Sequence, residues 1–259
     1  MPLTALNTLI LIPTYNNAGT LGDVVRRALR QGLPVMVVDD GSTDGTPEIL
    51  TSLQNDRKNQ EWRFPGPNQA NRRSRLEVVT HPENRGKGYA LKTGFQEASR
   101  RGFHYVITLD SDGQHFPEDI PALVAAAGEN TLVVGSRPQM GANGGSSFAN
   151  RFSNFWFRLY TWVSLPDTQT GFRLYPLDRL PSLSLLSSRY EAELSLLVFS
   201  AWKGLDLVPV PVKVAYPEDR VSHFRPAADF TRISLLNCVL LLIALVYGWP
   251  RTLYNALFE

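Results

Sequence analysis

Apolar and polar positions follow two periods along this chain. Short apolar runs at 9–12, 35–38, 76–80, 106–109 and 131–134 are each closed by a turn containing Pro, Gly, Asp or Asn. Continuous apolar runs of that length predict strands buried on both faces. Between them apolar residues recur at helical spacing. Leu21, Val24, Val25, Ala28 and Leu29 predict a helix over 21–30 that Gly32 stops, and helices are also predicted over 47–53, 89–100 and 117–127. Strand then helix, repeated through residue 137, predicts an α/β fold: a mostly parallel sheet with right-handed crossovers, flanked by helices. The polar stretch 54–75, with Pro65, Pro67, Arg72, Arg73 and Arg75, reads as an exposed insertion.

The pattern changes after residue 138. A Gly-rich segment at 140–147 precedes an aromatic helix over 148–165 that carries Arg151 and Arg158. Such a helix suits a membrane interface, and it suits a core helix packed on the sheet equally well. A turn at 167–172 feeds a short strand, and 190–202 reads as a helix with Glu191 and Glu193 in its first turns. The run 207–214 is extended, and Pro209 and Pro211 predict an edge strand. A basic loop follows at 220–226. The uncharged run 233–249 falls short of the roughly 20 apolar residues that a membrane span needs. A helix docked on, or shallowly in, a membrane is therefore expected, with a true span and a core helix as alternatives. Arg232 and Arg251 flank the run and can reach head groups.

Composition narrows this picture. The chain has 259 residues, 43% hydrophobic and 19% charged, as one large or two small globular domains would. A net charge of +2 gives no reason to expect a nucleic-acid partner. The single cysteine, Cys238, excludes an intrachain disulfide and a cysteine-built metal site. The first residues lack a basic region followed by a long apolar stretch, so no secretory signal is read there and a cytoplasmic location is expected.

The candidate chemistry lies at the strand ends. After 106–109 come Asp110, Ser111, Asp112, Gly113, Gln114 and His115. Two carboxylates at i and i+2, at the carboxyl end of a buried strand, face the crevice where open α/β sheets bind ligands. Hard oxygen donors so placed suit Mg²⁺ or Mn²⁺, which keep waters and take phosphate oxygens. The competing reading is a solvated turn. Asp39 and Asp40 end the second strand in the same manner, where turn and capping duty competes with ligand binding; Asp44 or Thr46 is positioned to cap the following helix. Arg85, Gly86, Lys87 and Gly88 precede a helix, a setting that favours an anion, though a tight turn with a solvated lysine competes. The spacing is not that of the phosphate loop of nucleotide hydrolases.

Taken in order, Pro13, Tyr15 and Asn16; the run 38–42 (Val-Asp-Asp-Gly-Ser); 84–88 (Asn-Arg-Gly-Lys-Gly); 110–114 (Asp-Ser-Asp-Gly-Gln); 135–137 (Gly-Ser-Arg); and 170–173 (Thr-Gly-Phe-Arg) resemble the family-2 inverting glycosyltransferases of GT-A fold. Within them the chain looks most like the dolichol- and polyprenyl-phosphate mannose synthase branch, over roughly residues 8–225. The resemblance implies a Rossmann-like catalytic domain over 1–225, with a nucleotide half at about 1–137 and an acceptor half at about 138–225, and a membrane-associated helical region at 226–259. It implies a GDP- or UDP-sugar lying against Pro13, Tyr15, Asn16, Asp39 and Asp40, bordered by Arg85, Gly86 and Lys87. Asp110, Asp112 and Gln114 would hold Mg²⁺ or Mn²⁺ on the donor diphosphate, which His223 and Arg225 would also reach. Arg137, Arg151 and Arg173 would meet the acceptor phosphate. The chain departs from the family at Asn17, where Glu is usual.

The expected activity is thus a metal-dependent inverting transfer of a sugar to a lipid-linked acceptor, most simply polyprenyl phosphate, at the cytoplasmic membrane face. A phosphate acceptor is already ionised near neutral pH, its second pKa being about 6. A hydroxyl acceptor needs a general base worth roughly 10²–10⁴-fold, and Glu193, then Glu191, is the candidate. The competing role for both is a pair of carboxylates at a helix N-terminus. Transfer to a hydroxyl of another lipid or a polysaccharide, a nucleotidyltransferase, and a binding module without turnover are the alternative readings.

Overall fold

The computed structural model describes residues 7–56, 62–63, 72–73, 75–137, 145–182, 191–215 and 236–258. Strands and helices alternate as β1 (Thr8–Thr14), α1 (Ala18–Arg30), β2 (Val35–Asp39), α2 (Thr46–Asn55), β3 (Trp62–Arg63), β4 (Arg72–Arg73), β5 (Leu76–Thr80), α3 (Lys87–Arg100), β6 (Tyr105–Thr108), α4 (Ile120–Ala125), β7 (Thr131–Ser136), α5 (Gly145–Thr161), β8 (Arg173–Pro176), α6 (Glu191–Trp202) and β9 (Asp206–Pro211). Short 3₁₀ turns at Pro117–Asp119 and Leu177–Arg179 precede α4 and follow β8. A last helix, α7, runs over 236–258. The insertion holds a two-stranded antiparallel ribbon of its own, β3 with β4, outside the main sheet.

The main sheet has seven strands in the order β5-β2-β1-β6-β8-β7-β9. Strands β5, β2, β1 and β6 are all parallel, as the strand–helix alternation predicts. Strand β8 departs from that expectation. It is antiparallel to both β6 and β7 and fits between them. The cause is the return of the chain after α5: β8 starts at Arg173, paired with Thr108 near the end of β6, so it must run back down the sheet. Of the described residues after 137, β8 and β9 complete this same sheet. Strand β9 is an edge, parallel to β7, and accommodates Pro209 and Pro211 as expected.

Both faces of the sheet are covered, which is why its strands read as unbroken apolar runs. Ile10, Ile12, Val35, Val37 and Ile107 pack against α1, α2 and α4. Their neighbours Leu9, Leu11, Met36, Val38 and Val106 point the other way, towards α3, α5, α6 and α7.

Helix α5 buries its aromatics on one side and exposes them on the other. Phe157 and Tyr160 are fully buried, while Phe152, Phe155 and Trp162 are exposed. Helix α7 docks beside it through Leu240, Ala244 and Gly248, spaced four residues apart. Tyr160 donates to the Asn237 carbonyl at 3.1 Å, and Trp249 donates to Leu159 at 3.1 Å. A π turn at Ala244–Gly248 precedes Pro250. Pro250 has no N–H to give and its ring would strike the carbonyl four residues back, so the wider turn relieves the clash. Gly248 rests on Trp202, which is fully buried: an added Cβ would lie 2.3 Å from the indole. Replacing Gly248 by Val should destabilise the protein by about 1–3 kcal/mol through overpacking, since the indole has nowhere to move. Urea denaturation measures this, and unchanged stability would show that α7 is not seated there.

Candidate active site

The candidate residues gather at the carboxyl edge of β1, β2 and β6. Strand β1 runs one residue beyond Pro13 to Thr14, so Pro13 is buried inside it, paired with Val38. The rim begins with Tyr15 and Asn16. Asn16 adopts φ 51°, a left-handed conformation that Asn tolerates. There its backbone N–H donates to Ser42 Oγ and its side-chain oxygen accepts from the Thr43 amide, tying the first loop to the second. Asp44 serves two helices: it accepts from the amides of Ala18 and Thr46 at the starts of α1 and α2.

Asp39 and Asp40 are both buried. Asp39 accepts from the Ser42 amide at 3.0 Å, an ordinary turn contact. Asp40 accepts from the Arg85 amide at 3.1 Å, the Gly86 amide at 2.7 Å and His81 Nδ1 at 2.7 Å. Asp40, expected beside the donor, holds the β5–α3 loop through these contacts. Gly41, at φ 73°, lets that loop approach, since a Cβ would lie 2.6 Å from the Glu83 backbone.

Asp110 and Asp112 sit half-buried where β6 ends, with Ser111 held between them. Asn17 Nδ2 donates to Ser111 Oγ at 2.8 Å and the Thr20 hydroxyl donates to its carbonyl at 2.7 Å. Asn17, the departure from the family pattern, thus anchors the carboxylate turn. Gln114, expected beside the cation, is tied to Asp112. Its backbone and side-chain N–H groups donate to the two oxygens of Asp112, at 3.0 and 2.7 Å, so it orients that carboxylate from behind. Gly171 passes Asp110 so closely that a Cβ would fall 2.6 Å from Oδ2. Thr108 fixes this approach by donating to the Gly171 carbonyl at 2.6 Å.

Lys87, the first residue of α3, lies between two acids from other elements. Its ammonium is 2.7 Å from Asp110 and 2.9 Å from Glu193, at the start of α6. Burial disfavours the lysine charge, but the two carboxylates outweigh it and hold the pKa well above its ordinary value. Burial likewise opposes ionisation of Asp110, while the charges of Lys87, His115 and Arg173 overcome it and lower the pKa. Asp112 goes the other way: burial and the charge of Asp110 raise it. His115, missed as a site residue, stands directly after Gln114 in the sequence. Burial lowers its pKa against the pull of both aspartates, and Nδ1 has no hydrogen-bond partner. The chain after β9 returns here, with Ala215 N–H donating to the Gln114 carbonyl at 2.9 Å.

This donor set fits a hard divalent cation. Two carboxylates are pressed together, and Asp112 is left short of positive charge. Among the described residues no three His, Cys, Asp or Glu side chains form a closed cage. A cation here would keep open positions for water and phosphate oxygens, as Mg²⁺ and Mn²⁺ do.

The arginines divide. Arg173 is fully buried and is corrected as an acceptor ligand. It donates to the carbonyls of Glu193 at 2.7 Å and Thr168 at 2.9 Å, and to the Tyr175 hydroxyl at 3.3 Å. It braces the start of α6 beneath the site. Arg137 pairs with buried Asp167 at 2.5 and 2.9 Å and stays partly open. Arg151 is exposed on α5. His223 and Arg225 lie outside the described residues.

A helix-flanked sheet with paired aspartates at its carboxyl edge has them where open α/β sheets bind ligands. Residues 9–176 match Glycosyl transferase family 2, and the chain belongs to that family of glycosyltransferases. It is 28% identical over 221 residues to the UDP-N-acetylglucosamine–dolichyl-phosphate N-acetylglucosaminyltransferase of Methanococcus voltae, covering 81% of this chain and 86% of that one. It is 29% identical over 218 residues to the undecaprenyl-phosphate mannosyltransferase of Micrococcus luteus, covering 80% and 83%. Its fold is similar to that of glucosyl-3-phosphoglycerate synthase from Mycobacterium tuberculosis in complex with Mg²⁺ and UDP, with a TM-score of 0.62, 21% identity, and coverage of 92% of this chain and 79% of that one.

Replacing Lys87 by Met strands two carboxylates. Breaking a buried pair costs about 3–5 kcal/mol, and partial solvent access at this rim reduces that to about 1–3 kcal/mol. Denaturant unfolding of Lys87→Met, with and without Mg²⁺, should show that loss and a larger stabilisation by the cation than in wild type. Wild-type stability in the variant would mean that the ion cluster is not formed.

Proposed function

We propose that this glycosyltransferase moves a sugar from a GDP- or UDP-sugar onto polyprenyl phosphate, with inversion, at the cytoplasmic face of a membrane. The engagement of Glu193 carries this reading. Its Oε2 is held by Lys87 at 2.9 Å, and its Oε1 is buried with no hydrogen-bond partner. The side chain is only 11% exposed, so it offers little access to an incoming hydroxyl. A site whose candidate base is so engaged suits an acceptor that arrives ionised, as a phosphate monoester does with a second pKa of about 6. The two relatives named for dolichyl and undecaprenyl phosphate support the same class of acceptor.

Asp110 and Asp112 would hold Mg²⁺ or Mn²⁺ on the donor diphosphate, where the cation neutralises charge on the departing nucleotide. Lys87 keeps Asp110 ionised and aimed. Gln114 keeps Asp112 aimed. Tyr15, Asn16 and Asp39 border the nucleotide, with the Arg85–Lys87 segment opposite. Arg137 and Arg151 face the acceptor phosphate, and His223 and Arg225 are assigned to the diphosphate by the family resemblance. One displacement inverts the anomeric centre, so no protein nucleophile is required.

The acceptor's tail needs an apolar surface. Residues Leu236–Asn255 form 20 helical residues whose most apolar 18-residue stretch has a mean hydropathy of 1.5 and is only 22% buried. Leu242, Leu245, Val246, Tyr247 and Leu253 are exposed, as are Phe155 and Trp162 of α5, and Trp162 stacks on Trp249 of α7. Because the opposite side of α7 is docked on Trp202 and α5, the helix is read as lying in the interface rather than crossing it.

In the reconstituted reaction, Glu193→Gln should retain transfer to polyprenyl phosphate within about tenfold, with none to polyprenol. A loss of roughly 10²–10⁴-fold would identify Glu193 as a base and the acceptor as a hydroxyl. Flotation with anionic vesicles should recover the wild type and lose the Leu242→Asp/Val246→Asp double variant. Equal recovery of the two proteins would assign that face to another partner.

A further inference from the structure

We infer that His81 is a positioning residue for the donor site, acting through Asp40 on the segment that delivers Lys87. His81 is buried directly after the last residue of β5. Its Nδ1 meets Asp40 Oδ1 at 2.7 Å and its Nε2 meets Thr93 Oγ1 of α3 at 3.0 Å. One tautomer satisfies both contacts. Nδ1–H donates to the carboxylate, and Nε2 accepts from the threonine hydroxyl. The ring is thereby locked between β5 and α3, and its edge packs on Tyr89 at a centroid distance of 5.1 Å.

Asp40 passes this constraint on. The oxygens aligned by His81 also accept the Arg85 and Gly86 amides, at 3.1 and 2.7 Å. Gly86 has φ 95°, which a side chain adopts only with strain, so this short stretch has no conformational preference of its own to hold it. What fixes it is the buried carboxylate. The next residue is Lys87, whose ammonium joins Asp110 to Glu193. On the same segment Arg85 stacks on Tyr89 at 3.6 Å, so its guanidinium is also placed by this loop. A buried carboxylate without its histidine donor would keep two amides and lose its third partner, and its orientation would no longer be unique.

This role rests on the donor-site reading above, and the test separates the two. Binding of UDP and GDP with Mn²⁺ is measured by calorimetry on wild type, His81→Leu and His81→Asn. Amide exchange is followed at Arg85 and Gly86 in the same proteins. The Asn amide occupies the place of Nδ1 and can still donate to Asp40. His81→Leu should weaken binding by about tenfold or more, as loss of a charge-assisted hydrogen bond does. His81→Asn should stay within about threefold. The Arg85 and Gly86 amides should exchange at least about tenfold faster in His81→Leu than in His81→Asn. Equal affinity in wild type and His81→Leu, or equal losses in both variants, overturns the assignment. If the wild type binds neither nucleotide, the donor reading fails, and unchanged exchange at Arg85 and Gly86 then overturns the role of His81 by itself.

Discussion

The ammonium of Lys87 lies between Asp110 and Glu193, and the arrangement of the catalytic edge depends on that contact. Removing an ion from water costs several kcal/mol, so three ions in a half-buried crevice persist only in one another's company. Each comes from a different element: the start of α3, the end of β6 and the start of α6. Their convergence therefore ties the parallel half of the sheet to the helix that follows β8. The surroundings serve this cluster. Asp40 places the loop before Lys87, Asn17 and Thr20 staple the turn between the aspartates, and Arg173 braces α6 from below. Gly171 leaves the space that the Asp110 carboxylate needs.

Helix α6 links that charged edge to the apolar exterior. Glu193 stands in its first turn, and Trp202 closes its last. The Trp202 indole donates to the Tyr160 carbonyl at 2.9 Å and supports Gly248 of α7. Glu193 and Trp202 stand nine positions apart on α6, which thus joins the ion cluster to a surface lined by α5 and α7. A substrate with a phosphate head and a polyprenyl tail has the same division of chemistry, which is why the two surfaces make sense together.

Several residues could be named from the sequence and not given their work. Asp40, Gln114 and Arg173 each belong to a motif that marks the site, yet each turns inwards. Asp40 holds a loop, Gln114 holds Asp112, and Arg173 holds the carbonyl of Glu193. A motif records that a residue type is needed at a position; it does not say whether the side chain faces substrate or a second side chain. His81 carried no spacing signal, because Asp40 lies far along the chain. The antiparallel insertion of β8 had none either, since a short apolar strand reads the same in both directions.

The sequence by itself determined the alternation of strands and helices, the two-faced burial of the sheet, the edge character of β9 and the order of motifs at the strand ends. These follow from local rules: side-chain period, turn chemistry and the missing N–H of proline. Tertiary structure alone decided where β8 enters, which face of α5 is core, and that Lys87 bridges Asp110 to Glu193, 83 positions apart in the chain. Those outcomes depend on burial and on long-range charge pairing, and the free energy of a buried ion is set by whatever the fold brings beside it.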